Sequence, residues 1–240
     1  MNSIFIYKKI DGEIIITGLQ EGVAETAIVI PETIENIPVV EIGPKAFEFS
    51  TITDIKIGKN IRKIEKEAFA HCRKLSSVIW NCKCNAIPDN CFYRCNKLRS
   101  VTWSHKCDVI PVGCFFGCSN LMQFDFSGIK KIGGRAFYES GLQEVCLTGN
   151  TEVVSKKAFS CCKILRTVIW NCKCNVIPVE CFVRCSNLTK FDFSSVKKIE
   201  AYAFWRSGLT SVTLSKKTAV DQNCFACCND LEKIEWLSDR

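Results

Sequence analysis

Eighteen cysteines and two histidines are the residues of this 240-residue chain best suited to chemistry. Thiols at this density can form disulfides, hold soft metals, or fill a core as small apolar groups. The run Cys82-x-Cys84 followed by Cys91-x-x-x-Cys95 has the two-plus-two look of a zinc set. His71 and His105 could act as a base, but neither has a nucleophile and an acid at a matching spacing. No phosphate loop, dinucleotide fingerprint, nucleophile elbow or zinc-protease motif is present. Both histidines therefore read as surface residues. No catalytic residue, cofactor or metal ligand is expected.

The cysteines gain meaning from the element that positions them, which is a repeat. A Phe preceded by Ala or Cys recurs at Phe47, Phe69, Phe92, Phe115, Phe137, Phe159, Phe182, Phe204 and Phe225, at steps of 21 to 23 residues. An aliphatic residue stands five before each Phe, from Ile42 and Ile64 to Ile199 and Val220. Another follows five or six after it, as Ile52, Leu75 or Leu188. An apolar-x-apolar pair then closes the unit, as Val78-x-Trp80 or Phe124-x-Phe126. Units with Ser three after the Phe (Ser50, Ser140, Ser207) are one residue shorter there, and in two of them Gly141 or Gly208 follows, as a tightened turn favours. Longer blocks also recur at an offset of 67 residues, Phe124-Asp125-Phe126-Ser127 matching Phe191-Asp192-Phe193-Ser194, and residues 78–85 reappear at 168–175.

Alternation at the end of each unit marks a half-buried strand. The Phe segment reads as one short helical or 3-10 turn. One unit cannot bury its own apolar residues, so the units must stack. The expected fold is an α/β, mainly β, solenoid of about nine repeats, with a single parallel sheet on one face, short turns opposite and a spine of nine Phe rings. Residues 1–40 differ. Asp11-Gly12 is a hairpin turn signal, and this segment is expected to cap a solenoid spanning 41–240.

Each cysteine can now be placed. Cys91, Cys114, Cys181 and Cys224 hold the slot before the Phe, which elsewhere is Ala. Cys72, Cys95, Cys118, Cys162, Cys185 and Cys228 share a slot with the three Ser. Slots that accept Ala, Ser or Val want small buried side chains. The zinc reading is therefore disfavoured, and mostly reduced thiols are expected. Cys82, Cys146 and Cys172 fall where exposure is expected.

The unit I-x-x-x-[AC]-F-x-x-[CS]-x-x-L-x-x-[VF] resembles the BspA-like leucine-rich repeat family over residues ~30–240. The resemblance implies a leucine-rich repeat solenoid, no catalytic residues, and a surface or secreted protein that binds other proteins in adhesion. Residues 1–9 show no basic run, apolar stretch and cleavage site, so a cytoplasmic location is the alternative.

The formal charge of +7 admits an anionic partner. The lysine pairs, however, fall at different phases of the repeat, so nucleic acid is not expected. No apolar run is long enough to span a bilayer. The expected partner is a protein, and its expected seat is the exposed face of the strands. There Asp54, Lys56, Ile79, Thr102, Asp125, Glu144, Cys146, Ile169, Lys190, Asp192 and Thr213 point outward. Self-assembly through the C-terminal end, where Trp236 holds a core slot, is the second expectation. A thiol-based metal or redox role is the third.

Overall fold

The computed structural model describes residues 3–82, 84, 86–103 and 107–237. Asp11 and Gly12 make the two-residue turn with both at positive φ, 50° and 75°, which matches the right-handed twist of the strands it joins. Those strands are β1 (Phe5–Ile10) and β2 (Glu13–Leu19), paired antiparallel.

The chain divides into two compact units, Met1–Cys107 with Cys114–Asn120, and Asp108–Gly113 with Leu121–Arg240. Each is a stretch of mainly-β solenoid, without a helix among the described residues. The first continues with β3 (Ala27–Val29), β4 (Thr33–Ile34), β5 (Ile37–Ile42), β6 (Asp54–Ile57), β7 (Lys63–Ile64), β8 (Ser77–Trp80) and β9 (Ser100–Trp103). The second holds β10 (Val109–Ile110), β11 (Lys131–Ile132), β12 (Glu144–Thr148), β13 (Val153–Val154), β14 (Thr167–Asn171), β15 (Val176–Ile177), β16 (Lys190–Asp192), β17 (Lys198–Ile199), β18 (Ser211–Ser215), β19 (Ala219–Val220) and β20 (Lys233–Leu237).

The expected strands form parallel ladders in register. In the first unit β3, β6, β8 and β9 align Ile28, Ile55, Val78 and Val101 in one row. In the second, β12, β14 and β16 align Val145, Val168 and Phe191, and β18 with β20 aligns Val212 and Ile234. A second ladder accompanies this one. It is made of short strands, all but β5 of two residues, that end on the aliphatic residue five before a marker Phe; Ile87 is in none. Ile110, Ile132 and Val154 align in one such ladder, Ile177, Ile199 and Val220 in another, and Ile42 with Ile64 in the first unit. Two residues are too few for alternation to register as a pattern, so the sequence showed only one sheet.

The Phe turns are not helical. The residues two before and two after the marker Phe both hold left-handed backbone: Lys45 and Phe49, Glu67 and His71, Arg135 and Glu139, Glu180 and Arg184, all with φ between 55° and 60°. Each such residue costs on the order of 1 kcal/mol when it carries a Cβ. The alternation turns successive N–H groups toward the next coil, where they bond. Phe47 N donates to Ala68 O at 2.8 Å and Phe49 N to Ala70 O at 3.1 Å. Phe137 N likewise donates to Ala158 O at 2.8 Å and Glu139 N to Ser160 O at 2.9 Å. A helix would send those donors along its own axis and leave the coils unjoined.

Inside these three rows lies the Phe spine. In the first unit, rings 47, 69, 92 and 115 stack with centroids 5.3, 5.6 and 5.6 Å apart. In the second, rings 137, 159, 182, 204 and 225 stack at 5.5, 5.6, 5.5 and 5.4 Å. All but Phe225, which is half-buried, are sealed from solvent. Each buried ring contributes on the order of 1.5–3 kcal/mol.

The cysteines that share a slot with Ser do more than fill space. Cys72, Cys95, Cys118, Cys162, Cys185 and Cys228 each donate a thiol hydrogen bond to the carbonyl of the marker Phe one coil earlier, at 2.9–3.2 Å. In the same slot the hydroxyls of Ser50, Ser140 and Ser207 pair with the thiols of Cys72, Cys162 and Cys228 on the following coil, at 3.3–3.4 Å. Gly208 answers a close approach. A Cβ there would lie 2.1 Å from Ser186 O.

Candidate partner-binding surface

The alternation of β-strands places the predicted outward residues on one face of each unit. Lys56, Ile79 and Thr102 are exposed in the first unit, and Glu144, Cys146, Lys190, Asp192 and Thr213 in the second. Asp54 and Ile169 are half-buried. Asp54 is tied down, its Oδ1 accepting hydrogen bonds from the Ser77 and Ser76 hydroxyls. The Ser77 bond, the larger effect, holds its carboxyl below the usual carboxylate range.

Asp125 is exposed but does not sit on a strand, since 123–126 form no regular ladder. Asp125 Oδ1 accepts the backbone N–H of Ser127 at 2.8 Å, and in the sister motif Asp192 Oδ1 accepts that of Ser194 at 2.9 Å. Such a bond offers the backbone an alternative to ladder pairing. Both copies of Phe-Asp-Phe-Ser interrupt the sheet. In the second copy β16 ends at Asp192 and does not pair with β18.

At that interruption the strand face opens into a cleft of about 510 Å³. Ile169, Lys190, Asp192 and Thr213 line it, with Phe191 and Leu237. The structure thus gathers four of the eleven predicted residues at one place. Glu144 and Cys146 lie on the neighbouring β12, and Asp54, Lys56, Ile79 and Thr102 belong to the other unit. The cleft offers apolar walls beside a cation and an anion, a combination suited to a polypeptide segment with mixed side chains.

No cysteine lines this cleft. The cysteines are thiols throughout. Among the described residues no group of three His, Cys, Asp or Glu is placed to hold a metal ion. Burial pushes Cys91, Cys114 and Cys181 well above the ordinary thiol range. Cys146 is exposed as expected and Cys172 half-buried, but Cys82 is sealed at 1% exposure. Its slot follows the last strand residue, Trp80, where alternation no longer fixes the side, and the thiol lies within hydrogen-bond reach of Cys84.

Sequence reasoning missed the turn face. In the first unit Phe49, His71, Tyr93 and Phe116 form a second row of rings, with centroids 4.6, 5.4 and 4.6 Å apart. Arg94 lies 5.8 Å from the centroids of both Tyr93 and Phe116. His71 is half-buried within this row, and its Nδ1 has no hydrogen-bond partner. His105 lies outside the described residues. In the second unit Tyr138, Tyr202 and Trp205 stand with Arg184 along a cleft of about 410 Å³. The signal was present in the residues one and two after each marker Phe, which are often aromatic or Arg. A helical turn, as expected, would have scattered them. The alternating turn stacks them.

The family described as BspA type leucine-rich repeat region matches residues 40–164 and 126–232, with six copies of its unit. Among solved structures, a leucine-rich repeat protein from Bacteroides ovatus is 19% identical, with a TM-score of 0.59 over 99% of this chain and 76% of that one. A leucine-rich repeat protein of T. pallidum is 24% identical, with a TM-score of 0.51 over 85% and 88%. The pneumococcal vaccine antigen PcpA is 14% identical, with a TM-score of 0.55 over 100% and 87%. At these identities the likeness speaks for the fold. No curated protein matches the chain.

Proposed function

The chain belongs to the BspA-type leucine-rich repeat family, and from that premise we propose that it is a non-catalytic scaffold that binds a protein partner on its strand face. The observation that carries this reading is the cleft between β16 and β18, where the ladder opens beside Ile169, Lys190, Asp192 and Thr213. Regular solenoid sheets satisfy their own backbone and present only side chains. A gap adds depth and unpaired backbone to those side chains, and extended partners use both. The reading includes a place at the cell surface, which rests on the family. The eighteen thiols favour the cytoplasm instead, and surface biotinylation of intact cells separates the two.

The test is affinity capture from the protein's own surroundings with three baits: wild type, the charge-swapped K190D/D192K, and R184Q on the turn face. A partner taken by wild type and R184Q but lost by the swap supports the reading. A partner retained by the swap overturns it.

A second reading has its own observation. On β20, Ile234 and Trp236 hold core register yet are 43% and 47% exposed, next to Leu237 at 57%. Self-assembly through this strand predicts a concentration-dependent dimer in sedimentation that the I234S/W236S variant abolishes.

A further inference from the structure

Trp205, on the turn face of the second unit, carries two guanidinium groups. That of Arg206 lies 4.4 Å from the ring centroid and that of Arg184 5.3 Å. The two arginines hold the same slot of successive coils, two residues past Phe182 and Phe204, each with φ of 56°. Their backbones are tied to the following coil, Arg184 N to Trp205 O at 2.8 Å and Arg206 N to Ala226 O at 3.1 Å. Both arginines are thus held by the ladder beneath and by the Trp205 ring that each guanidinium covers.

Stacking engages the flat face of a guanidinium. Its N–H donors lie in the plane and stay free for a planar acceptor such as a carboxylate or phosphate. Among the described residues neither Arg184 nor Arg206 is ion-paired. Glu180 lines the same cleft as Arg184 but is paired with Lys157, at 3.1 Å, and with neither arginine. The fold has thus placed two positive charges on one ring and left their forks unfilled, although a carboxylate is close.

Beside them lies the cleft of about 410 Å³, within the range of small-molecule sites. Tyr202 is 44% exposed along it, and Tyr138 lines it with Val183. Cys161 donates a thiol hydrogen bond to the Tyr138 hydroxyl at 3.4 Å, which fixes that ring. An aromatic wall beside free guanidinium forks recognises a flat ring bearing an oxyanion.

We propose that this cleft binds a small aromatic ligand carrying a carboxylate, sulfate or phosphate group, its ring against Tyr138 and Tyr202 and its oxygens on Arg184, which lines the cleft, with the Arg206 charge beside it on the same Trp205 ring. The site lies on the other face from the strand cleft and does not depend on it.

The full chain is titrated with phenyl phosphate, benzyl alcohol and inorganic phosphate, with binding followed by calorimetry and ligand-observed NMR. Phenyl phosphate is expected to bind at least about tenfold tighter than either fragment alone, the gain of one charge-assisted contact pair. R184Q/R206Q is expected to lose that advantage while melting as wild type does. R184K, which keeps the charge but not the fork, is expected to fall between. K190Q on the strand face is expected to bind as wild type. Equal binding of benzyl alcohol or inorganic phosphate overturns the proposal. So does a double variant that binds as wild type, or a K190Q variant that loses binding equally.

Discussion

The eight residues Val-Ile-Trp-Asn-Cys-Lys-Cys-Asn occur at 78–85 and again at 168–175, once in each unit. The two copies share the strand, the buried Trp and its edge-on contact with the next marker ring, Trp80 on Phe92 at 6.0 Å and Trp170 on Phe182 at 5.8 Å. They part after the Trp. β14 runs through Asn171, whereas β8 stops at Trp80. Val176 then enters the short strand β15, whereas Ala86 enters none. Cys172 is half-buried, and burial pushes its thiol up to about 11. Cys82 is sealed, yet the hydrogen bond from Cys84 holds its thiol below the ordinary value, with that of Cys84 raised in turn. Identical residues thus acquire different chemistry from neighbours one coil away and from the residue that follows.

Four measurements test how far the two copies are equivalent. The largest effect tests what the copies share. Phe92→Ala and Phe182→Ala each remove the ring beneath the Trp and are expected to cost ~3–5 kcal/mol in denaturant unfolding. A cost confined to one unit would show that the spine is not equivalent in both.

The next effect follows from the buried thiols. In the unfolded chain Cys91 and Cys181 ionise near ~8.5, but in the folded chain burial holds them protonated well beyond that. Above ~8.5 unfolding therefore releases protons, and stability falls as pH rises through the window between the unfolded and folded values. Each thiol adds a slope approaching ~1.4 kcal/mol per pH unit. Melting between pH 8 and 10 should show this decline, with C91A and C181A each flattening it.

A smaller effect probes the point of divergence. Val176→Ala in β15 should cost under ~1 kcal/mol, and Ala86→Val should return a few tenths, by the preference of branched side chains for strands. Amide exchange at the flanking residues reads both.

The last measurement leaves stability unchanged. In the native protein iodoacetamide should modify Cys172 before Cys82, read by peptide mass. The rate at Cys172 should climb about tenfold per pH unit below its value of about 11. Earlier labelling at Cys82 would show that its burial is not maintained.

Much of the fold was legible because burial repeats. The marker Phe, the aliphatic residues around it and the outward residues of each strand recur in phase, and most occupy the side that their phase implied, the last coil with its exposed Ile234 and Trp236 apart. Asp125 was the exception among the outward residues. It points out, but its own side chain bonds the Ser127 amide and ends the ladder. Cys82 was the exception among the thiols, because exposure after the last strand residue depends on how the chain rounds the corner. The Trp205 site went unread because the expected helical turn would not have aligned residues two past the Phe.

The order of residues alone determined the period of the coil, the ring that marks it and which side of each strand meets water, because these follow from local alternation repeated in phase. Tertiary structure decided the left-handed residues that bracket each Phe, the second ladder, the clefts and the ionisation of each thiol. Those depend on groups about one coil away in sequence, whose hydrogen bonds and desolvation exist only once the coils are stacked.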